Sequence, residues 1–196
     1  LLPGALSGAS FPFTTMIATH AFGAEGLMGI PLKMIGQIII GFLIFAAVLA
    51  STGAGDFFLN LALFLVGATR GGPAKVSVIA SALFGSLSGS IIANIVADGG
   101  ITIPAMKKIG YPPHYAAAVE ACASTGGVLM PPVMGAVAFV MAALLNIPYR
   151  AIIVAALIPS ILYYWGLLLQ ADAYAARHGI IGLSRKQLPS LRQILK

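Results

Sequence analysis

Charge is what this sequence has least of. Only 8% of its 196 residues are Asp, Glu, Lys or Arg, while 59% are hydrophobic, and the mean hydropathy is +0.99. Soluble domains carry about a quarter of their residues as charges, so the surface of this chain must face something other than water. The formal net charge of +6 rests on cations too few and too scattered for a phosphate-binding face, so no nucleic-acid partner is expected. A single cysteine, Cys122, excludes an internal disulfide and a multi-cysteine metal site. Lying in an apolar run, it reads as a small buried filler. His20, His114 and His178 are isolated, with no second ligand at helical spacing for zinc. No Gly-x-x-x-x-Gly-Lys-Ser/Thr loop is present to cradle nucleotide phosphates. The run Gly85-Ser-Leu-Ser-Gly89 mimics a nucleophile elbow only superficially, because its centre is Leu87. An enzyme is therefore not expected, and no residue is assigned a catalytic role. The start, Leu1-Leu-Pro-Gly4, has no basic region ahead of an apolar stretch, so it reads as an excerpt from a longer polypeptide rather than a signal peptide.

What is present is a series of apolar runs broken by Gly, Pro and Ser. Residues 1–33 are mixed in polarity, carry His20 and Glu25, and read as a periplasmic loop and interfacial segment. Residues 34–51 are apolar apart from Gln37, and at about 1.5 Å per residue they reach roughly 27 Å, just enough to cross a bilayer. Asp56 is a candidate N-cap for the next helix, over 57–69, which is too short to span and reads as a surface helix. Residues 76–107 begin as a span, but the centre, Gly85-Ser-Leu-Ser-Gly-Ser90, favours a turn over a helix interior. Arg70 and Lys75 precede this stretch and Lys107 and Lys108 follow it. Cations mark the cytoplasmic side, so both ends lie there and the segment is expected to be a re-entrant hairpin that turns near Gly85–Ser90.

The stretch 115–145 is interrupted by Ser124-Thr-Gly-Gly-Val-Leu-Met-Pro-Pro132, so a helix broken in mid-membrane is expected. Backbone unwound at that depth must be buried in protein or line a watery cavity. Residues 151–169 span again, with a kink expected at Pro159 and with Tyr163, Tyr164 and Trp165 near an interface. The membrane domain thus covers 34–172, and 173–196 form a basic cytoplasmic tail with Arg177, Arg185, Lys186, Arg192 and Lys196. Nine of the eleven Lys and Arg fall inside on this topology, leaving Lys33 and Arg150 outside.

A hairpin followed by a broken helix is how transporters build midplane sites, where half-helix N-termini meet anions and half-helix C-termini and free carbonyls meet Na⁺. The hairpin offers Ser86, Ser88, Gly89, Ser90 and Asn94. The break offers Ser124, Thr125, Gly126, Gly127, Met130, Pro131 and Pro132, whose carbonyls a regular helix cannot all satisfy. A Na⁺ site between tip and break is expected. The alternative for Gly85 and Gly89 is close helix packing of the small-xxx-small kind. Glu120, inside an apolar stretch, is either functional or a hydrogen-bonded anchor for the hairpin. Asp98 either caps the second hairpin arm or lies in the translocation path.

At Gly85-Ser-Leu-Ser-Gly-Ser-Ile-Ile-Ala-Asn94, Ile103-Pro-Ala-Met-Lys-Lys-Ile-Gly-Tyr111 and Ala118-Val-Glu-Ala-Cys-Ala-Ser-Thr-Gly-Gly-Val-Leu-Met-Pro-Pro-Val-Met-Gly-Ala136 the chain resembles the large permease subunit of tripartite ATP-independent periplasmic (TRAP) transporters. Gly29-Ile-Pro31, Thr52-Gly-Ala-Gly55 and Arg70-Gly-Gly-Pro-Ala-Lys75 resemble the type in which small and large subunits are fused. The likeness runs from about residue 23 to the end, as a fragment of the first half of the large-subunit region.

The resemblance implies an all-α, inverted-repeat, elevator-type importer in the bacterial or archaeal inner membrane, with Na⁺ as coupling ion and no other cofactor. It implies an organic-acid substrate delivered by a periplasmic binding protein, of the TAXI type for the fused branch. Further partners would be the small-subunit region, the second inverted half and the lipid bilayer. It also implies that the hairpin tip and the broken helix form one Na⁺ site and half the substrate cavity. One departure stands out: Ala97-Asp98 replaces the family's small hydroxyl residues. Alternatives are a non-transporting membrane scaffold, a degenerate fragment, or a channel, although nothing resembles a repeated selectivity filter.

Overall fold

Apolar runs rich in Ala and Leu, punctuated by Gly and Pro, fold into helices. The computed structural model describes residues 12–23, 26, 28–184 and 188–190. These form α1 (Phe13–Phe22), α2 (Ile30–Met34), a π-helical turn (Ile35–Ile39), α3 (Ile40–Ser51), α4 (Ala54–Val66), α5 (Gly72–Ser88), α6 (Ile91–Lys108), α7 (Pro113–Gly126), α8 (Ala136–Leu145) and α9 (Tyr149–Arg177), with no strand among the described residues. Glu25, Arg185, Lys186, Arg192 and Lys196 lie outside the described residues.

Helix runs without a gap from α2 to α3, so the first apolar helix begins at Ile30 rather than at residue 34. Within it Leu32–Leu49 is long and apolar enough to cross a membrane, and none of it is buried. A soluble protein's core helix would be buried, so this surface calls for lipid or for more protein. α4 starts at Gly53, whose left-handed φ of 80° lets it follow α3 directly. Asp56 is therefore not the cap expected from sequence. It sits in the first turn, where its charge still suits the helix N-terminus.

α5 and α6 run antiparallel. Near the tip the Asn94 side-chain amide donates to the Ser81 carbonyl at 2.9 Å. At the feet Ala74 and Met106 share a core cluster with Tyr111, Ala116, Ala171 and Ala175. The feet carry Lys75 at one arm and Lys107 and Lys108 at the other, so these cations gather at one end of the bundle. The turn is tighter than the sequence suggests. α5 stays helical through Gly85, Ser86 and Ser88, and only Gly89 and Ser90 make the reversal. Packing overrides the poor helix propensity of that run.

α9, 29 residues long, extends roughly 43 Å and passes through Pro159 as one helix. It is the second helix long and apolar enough to cross a membrane. Tyr163 and Tyr164 fall at its middle, and their hydroxyls donate to the carbonyls of Cys122 at 2.7 Å and Ala123 at 3.0 Å. They tie α9 to the end of α7. Helix ends leave carbonyls without intrahelical partners, and Tyr164 answers one of them. Lower down, Asp172 of α9 pairs with Lys75 at 2.6 Å and with Arg70.

Replacing Tyr164 by Phe is expected to leave the buried Ala123 carbonyl unmet and to lower stability by about 1 kcal/mol. Tyr163→Phe, at a half-buried position, is expected to cost less. Thermal unfolding of the two purified variants checks the order.

Candidate functional site

Four helix ends converge on one place. α5 stops because Gly89 takes a left-handed φ of 56°, and its N–H donates back to the Gly85 carbonyl at 2.9 Å. α6 starts beside it, capped by the Ser90 hydroxyl, which accepts from the Ala93 N–H at 3.3 Å. α7 ends at Gly126, residues 127–135 are unwound, and α8 starts at Ala136. The unwound segment lies on the hairpin tip. Val133 N–H donates to the Ser86 carbonyl at 3.0 Å. A Cβ added to Gly89 would sit 1.9 Å from the Met134 carbonyl oxygen. One added to Gly85 would sit 2.5 Å from Gly127 Cα. Only glycine fits at these contacts.

Most of the residues singled out from sequence meet here. The Ser88 hydroxyl and the Asn94 side-chain oxygen are buried with no hydrogen-bond partner among the described residues. Ser86 donates its hydroxyl to the Leu83 carbonyl at 2.7 Å. Met130 is half-buried against Val78, Ala123 and Tyr164. Pro131 is buried and Pro132 exposed, with a cis peptide between them. The Gly126 and Gly127 carbonyls are not free. They accept from Leu129 at 2.9 Å and Met130 at 3.3 Å, because the chain turns tightly as it unwinds. Thr125 does not join the site: its hydroxyl donates to the Ala121 carbonyl at 2.7 Å, on an exposed face. Cys122 shares that face and is exposed rather than buried. The helical period decides this, since Ala116, Glu120, Ala123, Ser124 and Gly127 already fill the buried side of α7 and of the turn at its end.

Two uncommitted buried oxygens, the Ser88 hydroxyl and the Asn94 side-chain oxygen, thus lie where the hairpin tip meets the break, and oxygen is the donor type a hard monovalent cation takes. Among the described residues no group of three His, Cys, Asp or Glu could hold a transition metal.

Beneath this contact lies Glu120, only 1% exposed. Ser77 of α5 donates to it at 2.9 Å and Ser124 of α7 at 3.2 Å. The Thr102 hydroxyl of α6 lies within reach of both Glu120 and the Asp98 carbonyl, and shares its one proton between them. Asp98 is not a cap. It lies mid-helix in α6, fully buried, with no partner for its carboxyl oxygens among the described residues. Sequence reading missed Ser77, Thr102, Met134 and Asp172. The first had a signal, because Ser77, Ser81 and Ser88 repeat at helical spacing on α5. Met134 had none: it is buried at a left-handed φ of 62°, a strained state for a side-chain-bearing residue.

A hairpin seated on a discontinuous helix, in an all-helical chain with two helices long and apolar enough to cross a membrane, is the architecture the described residues define. The chain belongs to the DctM component family of the tripartite ATP-independent periplasmic transporters, whose family model matches residues 4–196. It is 38% identical over 126 residues to a C4-dicarboxylate TRAP transporter large permease protein DctM of Vibrio cholerae, covering 64% of this chain and 27% of that protein. It is 35% identical over 120 residues to the isethionate TRAP transporter permease protein DctMQ of Oleidesulfovibrio alaskensis, covering 61% and 18%. To the ectoine/5-hydroxyectoine large permease protein UehC of Ruegeria pomeroyi it is 31% identical over 140 residues, covering 71% and 32%. The chain therefore spans a third or less of the length of these relatives.

The backbone contact at the tip gives a clear contrast. Gly127→Ala is expected to destabilise by about 1–3 kcal/mol, because the added Cβ meets Gly85 Cα at 2.9 Å. Gly100→Ala, with nothing within 4 Å, should be stabilising by roughly 0.5–1 kcal/mol through helix propensity. Thermal unfolding in detergent measures both.

Proposed function

We propose that this chain forms the first half of the translocating core of a Na⁺-coupled permease, which imports an organic-acid substrate delivered by a periplasmic binding protein. One observation carries the reading. At the contact between Gly89 and Met134, the C-termini of α5 and α7 meet the N-termini of α6 and α8. Helix N-termini favour a carboxylate and helix C-termini favour a cation, so one locus can receive both. Ser88 and Asn94 would supply side-chain oxygen to Na⁺. Gly89, Ser90 and the break around Gly126, Gly127, Pro131 and Pro132 would line the substrate side, with Glu120 holding the hairpin arms together.

The same reading makes α5 and α6 a re-entrant hairpin dipping from the cytoplasmic face of the inner membrane. Arg70, Lys75, Lys107, Lys108 and Arg177 then lie inside, and Lys33 and Arg150 outside, as the positive-inside rule favours. Hairpin and broken helix would move together as the mobile body of an elevator. The rest of the permease, a small-subunit region fused to the same polypeptide and a second inverted half, would complete the cavity. A TAXI-type binding protein would present the substrate. Relatives are named for C4-dicarboxylate, isethionate and ectoine. Of these a carboxylate best suits the two helix N-termini.

The test is uptake by the full-length permease, reconstituted with its binding protein, with and without a Na⁺ gradient. Uptake is expected to need the gradient and to be lost in Ser88→Leu and in Gly127→Leu. Uptake indifferent to Na⁺, or intact in both variants, would overturn the ion site.

A further inference from the structure

Two grooves flank the C-terminal half of α9, and their charge differs. On the α4–α5 side a cavity of about 290 Å³ lies over Ile79, Trp165 and Leu168, with Lys75 and Asp172 at its polar edge. That cation is already met by a carboxylate at 2.6 Å. On the α7 side a cavity of about 280 Å³ is bounded by Tyr115, Gln170, Tyr174, Arg177 and His178. A narrower one of about 70 Å³ runs on between α7 and α9 over Val78, Cys122 and Leu167. The two share Tyr115 and Gln170, so they form one groove, cationic at the end of α9 and apolar further in.

The walls of this groove are built. The Tyr115 and Tyr174 rings stack at 3.7 Å, and His178 stacks on Tyr174 at 4.0 Å while bonding its carbonyl at 2.9 Å. No carboxylate lines either cavity, and Arg177 has no ion pair among the described residues. The larger cavity holds several times the roughly 30 Å³ share of one water. Lys107 and Lys108 lie at the same end of the bundle, where Asp172, already paired, is the acidic residue described.

We propose that the α7–α9 groove binds an anionic phospholipid, its phosphate on Arg177 and one acyl chain along the apolar seam. An unneutralised cation beside an apolar slot open to the side matches the two halves of such a lipid. Basic pockets between helices at the cytoplasmic end of membrane proteins take anionic headgroups for this reason. The opposite groove lacks the free cation and takes no such headgroup. The inference rests on the membrane reading above but not on ion coupling, so its test involves no transport.

The full-length permease in detergent is titrated with phosphatidylglycerol or phosphatidylcholine, tracking the unfolding midpoint and lipid retention by native mass spectrometry. Phosphatidylglycerol is expected to be retained and to raise the midpoint of the unaltered protein. Arg177→Gln should weaken its binding roughly fivefold, the weight of one cation at an anionic surface. Ala118→Trp, at an exposed position lining the seam, should weaken it independently by filling the slot. Phosphatidylcholine, which has no net charge, should bind the unaltered protein more weakly and be indifferent to Arg177→Gln. Equal binding of phosphatidylglycerol by all three proteins, or the same stabilisation by inorganic phosphate, would overturn the proposal. So would indifference to Ala118→Trp because other parts of the permease already fill the groove. Retention of neither lipid would overturn it as well, while leaving the membrane reading, which rests on the family and the apolar helices, untouched.

Discussion

A carboxyl group sealed inside a helix junction has to be met by donors, and Glu120 is met by Ser77, Thr102 and Ser124 from α5, α6 and α7. Small residues let helices approach closely, and interhelical hydrogen bonds tie them together. The junction uses both. Ser77, Ser81 and Ser88 on α5 face Asn94, Asp98 and Thr102 on α6, all of them buried. Such a seam permits close approach, and a polar group left unmet in it costs more than in water. It makes the hairpin and the first half of the broken helix one unit.

The close approach at the tip stems from that unit. With α5, α6 and α7 drawn together low down, the α5 backbone at Gly85 meets the chain at Gly127 with no room for a side chain. The unwound residues 127–135 are then pressed across Gly89, and Met134 is held at a left-handed φ of 62°. Strain of this kind persists only where surrounding structure enforces it, and it concentrates at functional sites. α9 braces the arrangement from one side, through Tyr163 and Tyr164 above and the Asp172 ion pairs below. Its outer face stays apolar, with Ile158 69% and Leu162 64% exposed.

Much of this was legible in the chain. Cations on both sides of 76–107 betrayed a reversal, and the structure has that reversal at Gly89–Ser90. Gly126-Gly127 with Pro131-Pro132 betrayed the break, since two prolines remove two amide donors. Other features were not legible. Ser77 lies 43 residues from Glu120, and Lys75 lies 97 residues from Asp172. Nothing local marks such a pair until the helices between them have packed. Cys122 and Thr125 sit within an apolar, family-like motif, yet helical rotation turns them outward.

By itself, the sequence determined that the chain is helical, roughly where the hairpin reverses and the later helix breaks, which segments carry cations, and that the surface is unsuited to water. Those properties are local: hydropathy, charge, and the backbone limits of glycine and proline act over a few residues each. Only the tertiary structure decided which buried oxygens are occupied and which stay free. The Ser86 and Ala123 carbonyls are taken by Val133 and Tyr164, while Ser88 and Asn94 keep an oxygen uncommitted. That outcome depends on which atoms come within about 3 Å of one another. Elements far apart along the chain settle it only by packing together.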